Sequence, residues 1–186
     1  MRTAARAQAM IEGHREPGPA ARRRLFFAFW PQNPTRAALD AARSRLFPLS
    51  GRPVATADLH VTAAFIGFVD GSRIETLKTL ARTLPRFELV FDRLEHWPKP
   101  RVLVATCGAV APTAHAAVDE LWRHLDRQGF PRDPRPWRPH VTLARDVKTL
   151  RAGLSWQVVP WAVNRLRLVE SLNAAGASGE RYRPLD

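Results

Sequence analysis

The chain has 186 residues, which fits one domain or two small lobes around a shared core. Its single cysteine, Cys107, excludes an internal disulfide and a cysteine-based zinc site. No apolar run approaches the roughly 20 residues that span a bilayer, so no membrane partner is expected. The formal net charge of +12 comes from 26 arginines and 3 lysines against 17 acidic residues. This balance suits a polyanion such as RNA, because arginine binds phosphate oxygens in pairs, although a GC-rich genome also favours arginine codons.

The N-terminal segment is polar and irregular. Residues 1–22 contain Pro17, Gly18 and Pro19 and show no sustained hydrophobic period, which predicts a disordered extension. The segment also lacks the apolar stretch of a secretory signal, so a cytoplasmic location is expected. Residues 23–186 are then predicted to form a single domain.

From residue 24 onward, short apolar runs alternate with segments of helical period. A continuous apolar run over residues 25–30 predicts a buried strand that ends at Pro31. Two amphipathic helices are predicted to open at Pro34 and Pro112, and a further helical segment begins near Ile74. The apolar positions of these helices, in chain order, are Leu39, Ala42 and Leu46; Ile74, Leu77, Ala81 and Leu84; and Ala114, Ala117, Val118, Leu121, Trp122 and Leu125. Further strands are predicted at 59–68, 87–97, 101–107, 140–144 and 163–172, and residues 50–53 are predicted as a loop.

The order of signals in the first half recurs in the second. Each half shows a strand, a proline-threonine helix start, a helix, a loop with proline and arginine, and a His-x-Thr sequence. The strand precedes the histidine by 35 positions in one half (Leu25 to His60) and by 38 in the other (Val102 to His140). Such a repeat predicts two related lobes, with the two His-x-Thr strands facing each other across a cleft.

Each His-x-Thr sequence is predicted to present one imidazole and one hydroxyl to the same side. Side chains alternate along a strand, so His60 and Thr62 point one way, as do His140 and Thr142. Two histidines that titrate near neutrality can transfer the two protons that hydrolysis of a cyclic phosphodiester requires. The threonine hydroxyls can donate to non-bridging phosphate oxygens, and a cation such as Arg145 can balance the charge without a metal ion. One such motif is usually structural, but two copies at matching places in a repeat indicate catalysis.

The two motifs and their flanks resemble the signatures of the 2H phosphoesterase superfamily. HVTAAFIG and RPHVTLARD are similar to the paired motifs of its bacterial RNA 2′,3′-cyclic phosphodiesterases, also called 2′-5′ RNA ligases or LigT-like proteins. RLFFAFWP, GRPVATADLH, RPWRPH and RYRPL follow the order of the same family, so the resemblance spans roughly residues 24–185. It implies an α+β, bilobal 2H phosphoesterase fold, in which two pseudo-symmetric lobes line a central cleft with antiparallel sheets and carry their helices outside.

The resemblance also implies a reaction and roles for residues. The family hydrolyses RNA 2′,3′-cyclic phosphate ends to 2′-phosphomonoesters without a cofactor or metal, and some members ligate RNA reversibly through 2′-5′ linkages. By position, His60 would be the acid that protonates the leaving 3′ oxygen, and His140 the base that activates water. Thr62, Thr142 and Arg145 would bind the phosphate. A pseudo-symmetric site permits either direction of proton transfer. RNA ends with a cyclic phosphate, tRNA fragments among them, are the expected partners of a monomer.

The sequence alone does not decide the roles of several other residues, and it leaves rival functions to consider. Arg135, Trp137 and Arg138 lie in the loop before the second motif and are candidate RNA contacts, whereas Phe65 is expected in the core despite its capacity to stack on a base. The rival functions are cleavage of 2′-5′-linked oligonucleotides or small cyclic nucleotides by the same site, and a non-catalytic RNA-binding module. A metal hydrolase is a third rival. It requires carboxylates beside the histidines. Asp58 is the one nearby carboxylate whose spacing places it on the same face of a strand as a motif histidine.

Overall fold

The structure, a computed structural model, describes residues 22–81, 86–172 and 179–185. Residues 1–21 of the predicted N-terminal extension, and the predicted helix position Leu84, lie outside these ranges. The helices are α1 Asn33–Ser44, α2 Ile74–Leu80 and α3 Pro112–Arg127. The strands are β1 Arg23–Phe29, β2 Arg52–Pro53, β3 Val61–Val69, β4 Phe87–Trp97, β5 Val102–Cys107, β6 His140–Arg145, β7 Val159–Val163, β8 Leu166–Ser171 and β9 Tyr182–Pro184.

The described strands form an antiparallel sheet whose order is symmetric about its centre. The order is β7-β4-β5-β6-β3-β1-β8-β9, with the short β2 paired to β6. The two motif strands, β3 and β6, are central neighbours that meet at the Cα pair Val61 and Val141. Next to each lies the strand that leads into a long helix, β1 before α1 and β5 before α3. The two halves of the sheet are therefore related lobes, and the predicted bilobal α+β architecture is confirmed.

The helices pack against one face of the sheet and leave the other face open to the cleft. The predicted apolar positions of the two long helices are buried: those of α1 are at most 1% exposed, and all six of α3 lie in the core. The same core contains Val61, Val141 and Leu143 from the motif strands. Proline in the first turn of α1 and α3 suits a helix start, because the N–H that proline lacks has no helical partner there. Burial of each large apolar side chain contributes roughly 1.5–3 kcal/mol, so this layer holds the site strands in place.

Some details differ from the predictions. The predicted strand over 163–172 corresponds to β8, and only its first residue, Val163, belongs to β7. Strand β7 was not predicted; Asn164 and Arg165 separate it from β8, and it joins the far edge beside β4. Residues 52–53 of the predicted loop form β2, which pairs with Ala144 and Arg145 of the second motif strand. The other predicted strands begin and end within two residues of the observed ones. Within the described residues α3 is the longest helix, and none is long and apolar enough to cross a membrane.

Candidate active site

The antiparallel register brings the two His-x-Thr sequences side by side. Val61 and Val141 are Cα partners, so each motif histidine lies beside the threonine of the opposite motif. The two valines are fully buried, and the residues on either side of them therefore point to the open face. The two histidines occupy diagonal corners of the resulting patch. The patch consists of four half-buried residues: His60, Thr62, His140 and Thr142.

Both imidazoles are held by the same kind of hydrogen bond. Nδ1 of His60 donates to the carbonyl oxygen of Asp58 at 2.6 Å, and Nδ1 of His140 donates to that of Arg138 at 2.8 Å. In each case the acceptor is two residues before the histidine. A carbonyl only accepts, so Nδ1 carries a proton in both histidines, and in the neutral ring the lone pair is on Nε2. Nε2 makes no hydrogen bond within the described residues, which leaves it available to a reactant in the cleft.

Aromatic rings enclose His60. The indole of Trp30 stacks on the imidazole with 5.4 Å between centroids and an interplanar angle of 8°. Phe26 and Tyr182 lie at centroid distances of 5.2 and 4.9 Å. Burial among these rings lowers the pKa of His60 from 6.5 to about 4, because the imidazolium form loses its hydration. The carbonyl hydrogen bond opposes this shift, and nearby positive groups add to it.

A polar network encloses His140 instead. The Trp97 ring lies 4.6 Å from the imidazole, and its Nε1 donates to the Glu95 carboxylate at 3.0 Å. The same carboxylate accepts from the Thr106 hydroxyl at 2.8 Å and from the Arg138 guanidinium at 2.6 Å. Burial lowers the pKa of His140, the charge of Arg138 adds to the shift, and the carbonyl hydrogen bond and the Glu95 charge oppose it. The two histidines thus share one tautomer in contrasting surroundings.

A β-bulge follows each motif threonine and changes which residues face the cleft. The register of β3 with β1 shifts by one residue just after Thr62, and that of β6 with β5 shifts just after Thr142. The two residues after each threonine are consequently both buried, and the third turns to the cleft. This third residue is Phe65 in the first lobe and Arg145 in the second. Because Phe65 is 45% exposed, the prediction that it packs in the core is wrong.

Two cavities flank Thr62 and Phe65, which line both of them. One, of about 300 Å³, extends over the first lobe, and the other, of about 350 Å³, extends over the second. Arg145 reaches the first cavity, where its guanidinium donates to the Tyr182 hydroxyl at 3.1 Å. The first cavity is also lined by Arg24, Phe26, His60 and Ser171, and the second by His140, Trp97, Trp137, Arg135 and Arg138, among others.

The three predicted RNA contacts line the second cavity but already have protein partners. Trp137 donates its indole N–H to the carbonyl oxygen of Thr62 at 2.9 Å, which ties the second-motif loop to the first-motif strand. Arg138 binds the Glu95 carboxylate, and the exposed Arg135 pairs with Asp133 at 2.5 Å. Trp137 and Arg138 therefore help to build the cleft wall, whereas the Arg135 pair is open to solvent.

The described residues do not include a group of three or more histidine, cysteine, aspartate or glutamate side chains placed to hold a metal ion. Asp58, the carboxylate that a metal site would need, is buried at 3% exposure. One of its oxygens accepts the backbone N–H of Arg181 at 2.8 Å. Burial raises the pKa of this carboxyl group, and hydrogen bonds from the backbone of residues 181 and 182 oppose the shift. Asp58 thus anchors the segment that brings Tyr182 to His60.

Residues 31–175, which include both motifs and most of the chain, match the family model of the 2′-5′ RNA ligase superfamily. The chain belongs to this superfamily. It is 32% identical over 169 residues to the RNA 2′,3′-cyclic phosphodiesterase of Escherichia coli, covering 87% of this chain and 93% of that protein. The RNA 2′,3′-cyclic phosphodiesterase of Thermus thermophilus is 32% identical over 164 residues, covering 78% of this chain and 82% of that protein.

Solved structures agree with the 2′-5′ RNA ligase assignment. The crystal structure of E. coli LigT complexed with 3′-AMP has a TM-score of 0.73 at 30% identity, over 89% of this chain and 97% of that one. The crystal structure of a phosphoesterase reaches 0.77 at 29% identity, again over 89% and 97%. The family predicted from the paired motifs is therefore confirmed.

For this superfamily member, sequence reasoning identified the paired motifs but not their surroundings. Glu95 and Trp97 are two apart on β4, so their side chains share one face, but nothing local shows that this face meets His140. Trp30 and Phe26 belong to an apolar run that is typical of core throughout. Tyr182 comes from the C-terminal strand, far from His60 in sequence. Only the sheet order brings these groups together.

Proposed function

We propose that this chain hydrolyses the 2′,3′-cyclic phosphate at RNA ends to a 2′-phosphomonoester, with His60 and His140 as acid and base and without a metal ion. The observation that carries the proposal is the matched pair of imidazoles, each held at Nδ1 by a carbonyl and each available at Nε2. The relatives in E. coli and T. thermophilus, both RNA 2′,3′-cyclic phosphodiesterases, support the substrate class. Membership in the superfamily supports reversible 2′-5′ ligation as a second reaction of the same site.

Hydrolysis of the cyclic ester moves two protons. A bond forms between the water oxygen and phosphorus, and the bond between phosphorus and the 3′ oxygen breaks. The phosphate then stays on the 2′ oxygen, and the 3′ oxygen becomes a hydroxyl. One Nε2 accepts the proton of the attacking water while the other donates a proton to the 3′ oxygen, each transfer contributing roughly 10²- to 10⁴-fold in rate. Histidines at diagonal corners of the patch suit this task, because attack and departure occur on opposite sides of phosphorus.

The threonines occupy the other two corners of the patch. The hydroxyls of Thr62 and Thr142 would donate to the non-bridging oxygens of a phosphate lying between the histidines. Arg145 would add a guanidinium from the bulge of the second motif strand. Hydrogen bonds to charged groups contribute about 1.5–3 kcal/mol each, which is enough to hold the phosphate without a cation cofactor. In the second cavity, Arg135, Trp137 and Arg138 would contact the RNA strand.

The direction of proton transfer has two candidate assignments. The resemblance implies His60 as acid and His140 as base. The electrostatics of the free protein favours the reverse, because burial lowers the pKa of His60 to about 4, whereas the Glu95 charge opposes the fall of the pKa of His140. An aryl phosphodiester distinguishes the two, since nitrophenolate departs without a proton. The His→Ala variant that retains aryl ester turnover but loses RNA turnover identifies the acid.

The main test uses a short RNA that ends in a 2′,3′-cyclic phosphate, in excess EDTA, with identification of the product. We expect conversion to the 2′-phosphate, and a loss of at least about 10² in rate for His60→Ala and for His140→Ala. His124→Ala is the matched control, because this partly exposed histidine of α3 pairs with Glu120 outside the cleft.

Each other outcome has a defined meaning. A 3′-phosphate product would show that the other phosphorus–oxygen bond breaks. Loss of turnover in EDTA would favour the metal hydrolase, and RNA binding without turnover in any buffer would favour the non-catalytic RNA-binding module.

Cleavage of 2′-5′-linked oligonucleotides is the second candidate, favoured by the cavities on both sides of Thr62. A cyclic phosphate end needs a nucleoside site on one side only, whereas a 2′-5′ linkage needs one on each side. Comparison of kcat/KM for a 2′-5′-linked dinucleotide, a small cyclic nucleotide and the cyclic RNA end ranks these substrates. tRNA fragments as the physiological substrate, the monomeric state and the cytoplasmic location stay predictions.

A further inference from the structure

A cavity of about 340 Å³ adjoins the cavity that extends over the first lobe. Its wall is rich in arginine and consists of Arg24, Arg145, Arg181, Ser171, Leu172 and Tyr182. Four of these residues also line the first-lobe cavity, into which His60 and Thr62 reach: Arg24, Arg145, Ser171 and Tyr182. This arginine cavity is therefore an extension of the site that contains the first motif.

The arginines of this cavity lack carboxylate partners. Within the described residues, none of the ion pairs includes Arg24, Arg145 or Arg181. The Arg24 guanidinium lies 4.8 Å from the Phe65 ring centroid, and that of Arg145 donates to the Tyr182 hydroxyl at 3.1 Å. Neither of these partners is a carboxylate. Positive charges around one cavity repel each other, and a bound anion would relieve that repulsion.

Arginines on the opposite face of the same sheet edge are paired. Arg23 and Arg183 both bind the carboxylate of Glu170. Side chains alternate along a strand, so Arg24 points away from this cluster and into the arginine cavity. Charges on one face are thus neutralised, whereas those on the cleft face are left for a ligand. A basic composition alone does not explain this difference, because the arginines concerned are neighbours in the chain.

Phosphate oxygens are the acceptors that guanidinium groups bind best, often in pairs. In the proposed reaction the cyclic phosphate of an RNA end lies between the two motif histidines. The next anionic group of the same strand is the phosphodiester on the 5′ side of the terminal nucleotide. It would have to leave the first-lobe cavity in some direction, and the adjoining arginine cavity offers it three cations.

We propose that Arg24 and Arg181 bind this internucleotide phosphodiester, with Arg145 between it and the cyclic phosphate. The proposal rests on the proposed function of the site and extends it to the second nucleotide of the substrate. It gives the site a preference for RNA ends over mononucleoside cyclic phosphates, which have no second phosphate. Free inorganic phosphate has the same chemistry, and the two measurements below separate it from a phosphate of the RNA strand.

The kinetic test uses a dinucleotide that ends in a 2′,3′-cyclic phosphate and has either a natural phosphodiester linkage or a neutral methylphosphonate linkage. We expect the wild type to have a kcat/KM about tenfold or more higher for the phosphodiester, mainly through KM, since a charged hydrogen bond is lost in the other compound. Arg24→Gln and Arg181→Gln should each lose most of this ratio. Turnover of the methylphosphonate compound by each variant shows that its site is folded.

The matched control is Arg183→Gln. It removes the same charge two residues beyond Arg181 but from the opposite face, where Arg23 remains to bind Glu170. Because the net charge changes equally in all three variants, a ratio that Arg183→Gln retains shows that the position of the charge matters, and not the total.

A binding measurement needs no turnover. Calorimetry compares adenosine 2′,5′-bisphosphate with adenosine 2′-phosphate, and we expect the 5′ phosphate to lower Kd about tenfold in the wild type and in Arg183→Gln. Arg24→Gln should bind the two compounds equally. This pattern without turnover of any cyclic end would remove the proposed function and leave the second phosphate site. Equal turnover of the two dinucleotides by the wild type, even with tighter binding of the bisphosphate, would mean a site for free phosphate only and overturn the proposal. A ratio that both Arg24→Gln and Arg181→Gln retain would also overturn it.

Discussion

The aromatic enclosure of His60 predicts a specific dependence of stability on pH. In the unfolded chain this histidine has a pKa of 6.5, and burial lowers it to about 4 in the folded protein. Between these values the unfolded chain binds a proton that the folded protein excludes. The stabilising contribution is therefore fully present above pH 6.5 and is lost as the pH falls towards 4. One pKa unit corresponds to about 1.4 kcal/mol, so the loss amounts to roughly 3 kcal/mol.

The perturbation that isolates this effect is His60→Phe. Phenylalanine fits among Phe26, Trp30 and Tyr182 and does not titrate. The substitution also removes the hydrogen bond to the Asp58 carbonyl, but this cost is the same at every pH. The free energy of unfolding would be measured with urea at about pH 7, 5.5 and 4. We expect its decrease from pH 7 to pH 4 to be smaller in the variant than in the wild type by roughly 3 kcal/mol.

Other groups that titrate at acid pH do not affect this comparison between the variant and the wild type. Arg23 hydrogen-bonds Glu170 and lowers the pKa of its carboxyl to about 2, and that group is present in both proteins. Its contribution, lost as the pH falls below the unfolded value, cancels in the difference between variant and wild type. Parallel loss of stability in the two proteins over the whole acid range would contradict the reasoning, because it would mean that folded His60 is protonated near its ordinary pKa.

Three further predictions concern residues that surround the two motif histidines. Glu95→Gln should shift the His140 limb of the pH–rate profile to lower pH, because the carboxylate charge opposes the fall of that pKa; Glu88→Gln, exposed on the same strand, should leave the profile unchanged. Trp137→Phe should lower the free energy of unfolding by about 1–3 kcal/mol in urea titrations, since a carbonyl of the first-motif strand loses its donor. Arg145→Gln should weaken inhibition by the 2′-phosphate product about tenfold or more in steady-state assays, through loss of a charged hydrogen bond.

Local sequence signals predicted most of the scaffold. Proline starts and apolar residues three and four apart identify α1 and α3, because helix period and helix termini are local properties. Strand β4, Phe87–Trp97, has the predicted ends, since its alternating pattern stops at a proline-rich turn. The repeat in the sequence also predicted that the motif strands face each other. The motif strands are instead hydrogen-bonded neighbours at the centre of one sheet, so the two histidines lie side by side on one face and do not face each other across a cleft.

The features that sequence reasoning missed depend on contacts between distant segments. Strict alternation places Phe65 in the core, and a one-residue bulge against β1 reverses that placement. In the sequence, Glu95 resembles an ordinary exposed acidic residue in a strand of alternating apolar and polar residues. It gains its role from Thr106 and Arg138, which are 11 and 43 positions away. Such pairings follow from the register of the sheet, which no short window of sequence specifies.

The repeat supplies a symmetric frame, and the residues placed on it make the site directional. Each lobe contributes a histidine with the same tautomer, a threonine and a bulge at equivalent positions. The differences lie one layer further out, where rings enclose one histidine and a carboxylate network encloses the other. A cyclic phosphodiester needs such a difference, because one proton is removed while another is delivered. Identical surroundings would give the two imidazoles the same intrinsic pKa and no preferred direction of proton transfer. In the proposed reaction, the aromatic and polar enclosures would set one histidine as base and the other as acid.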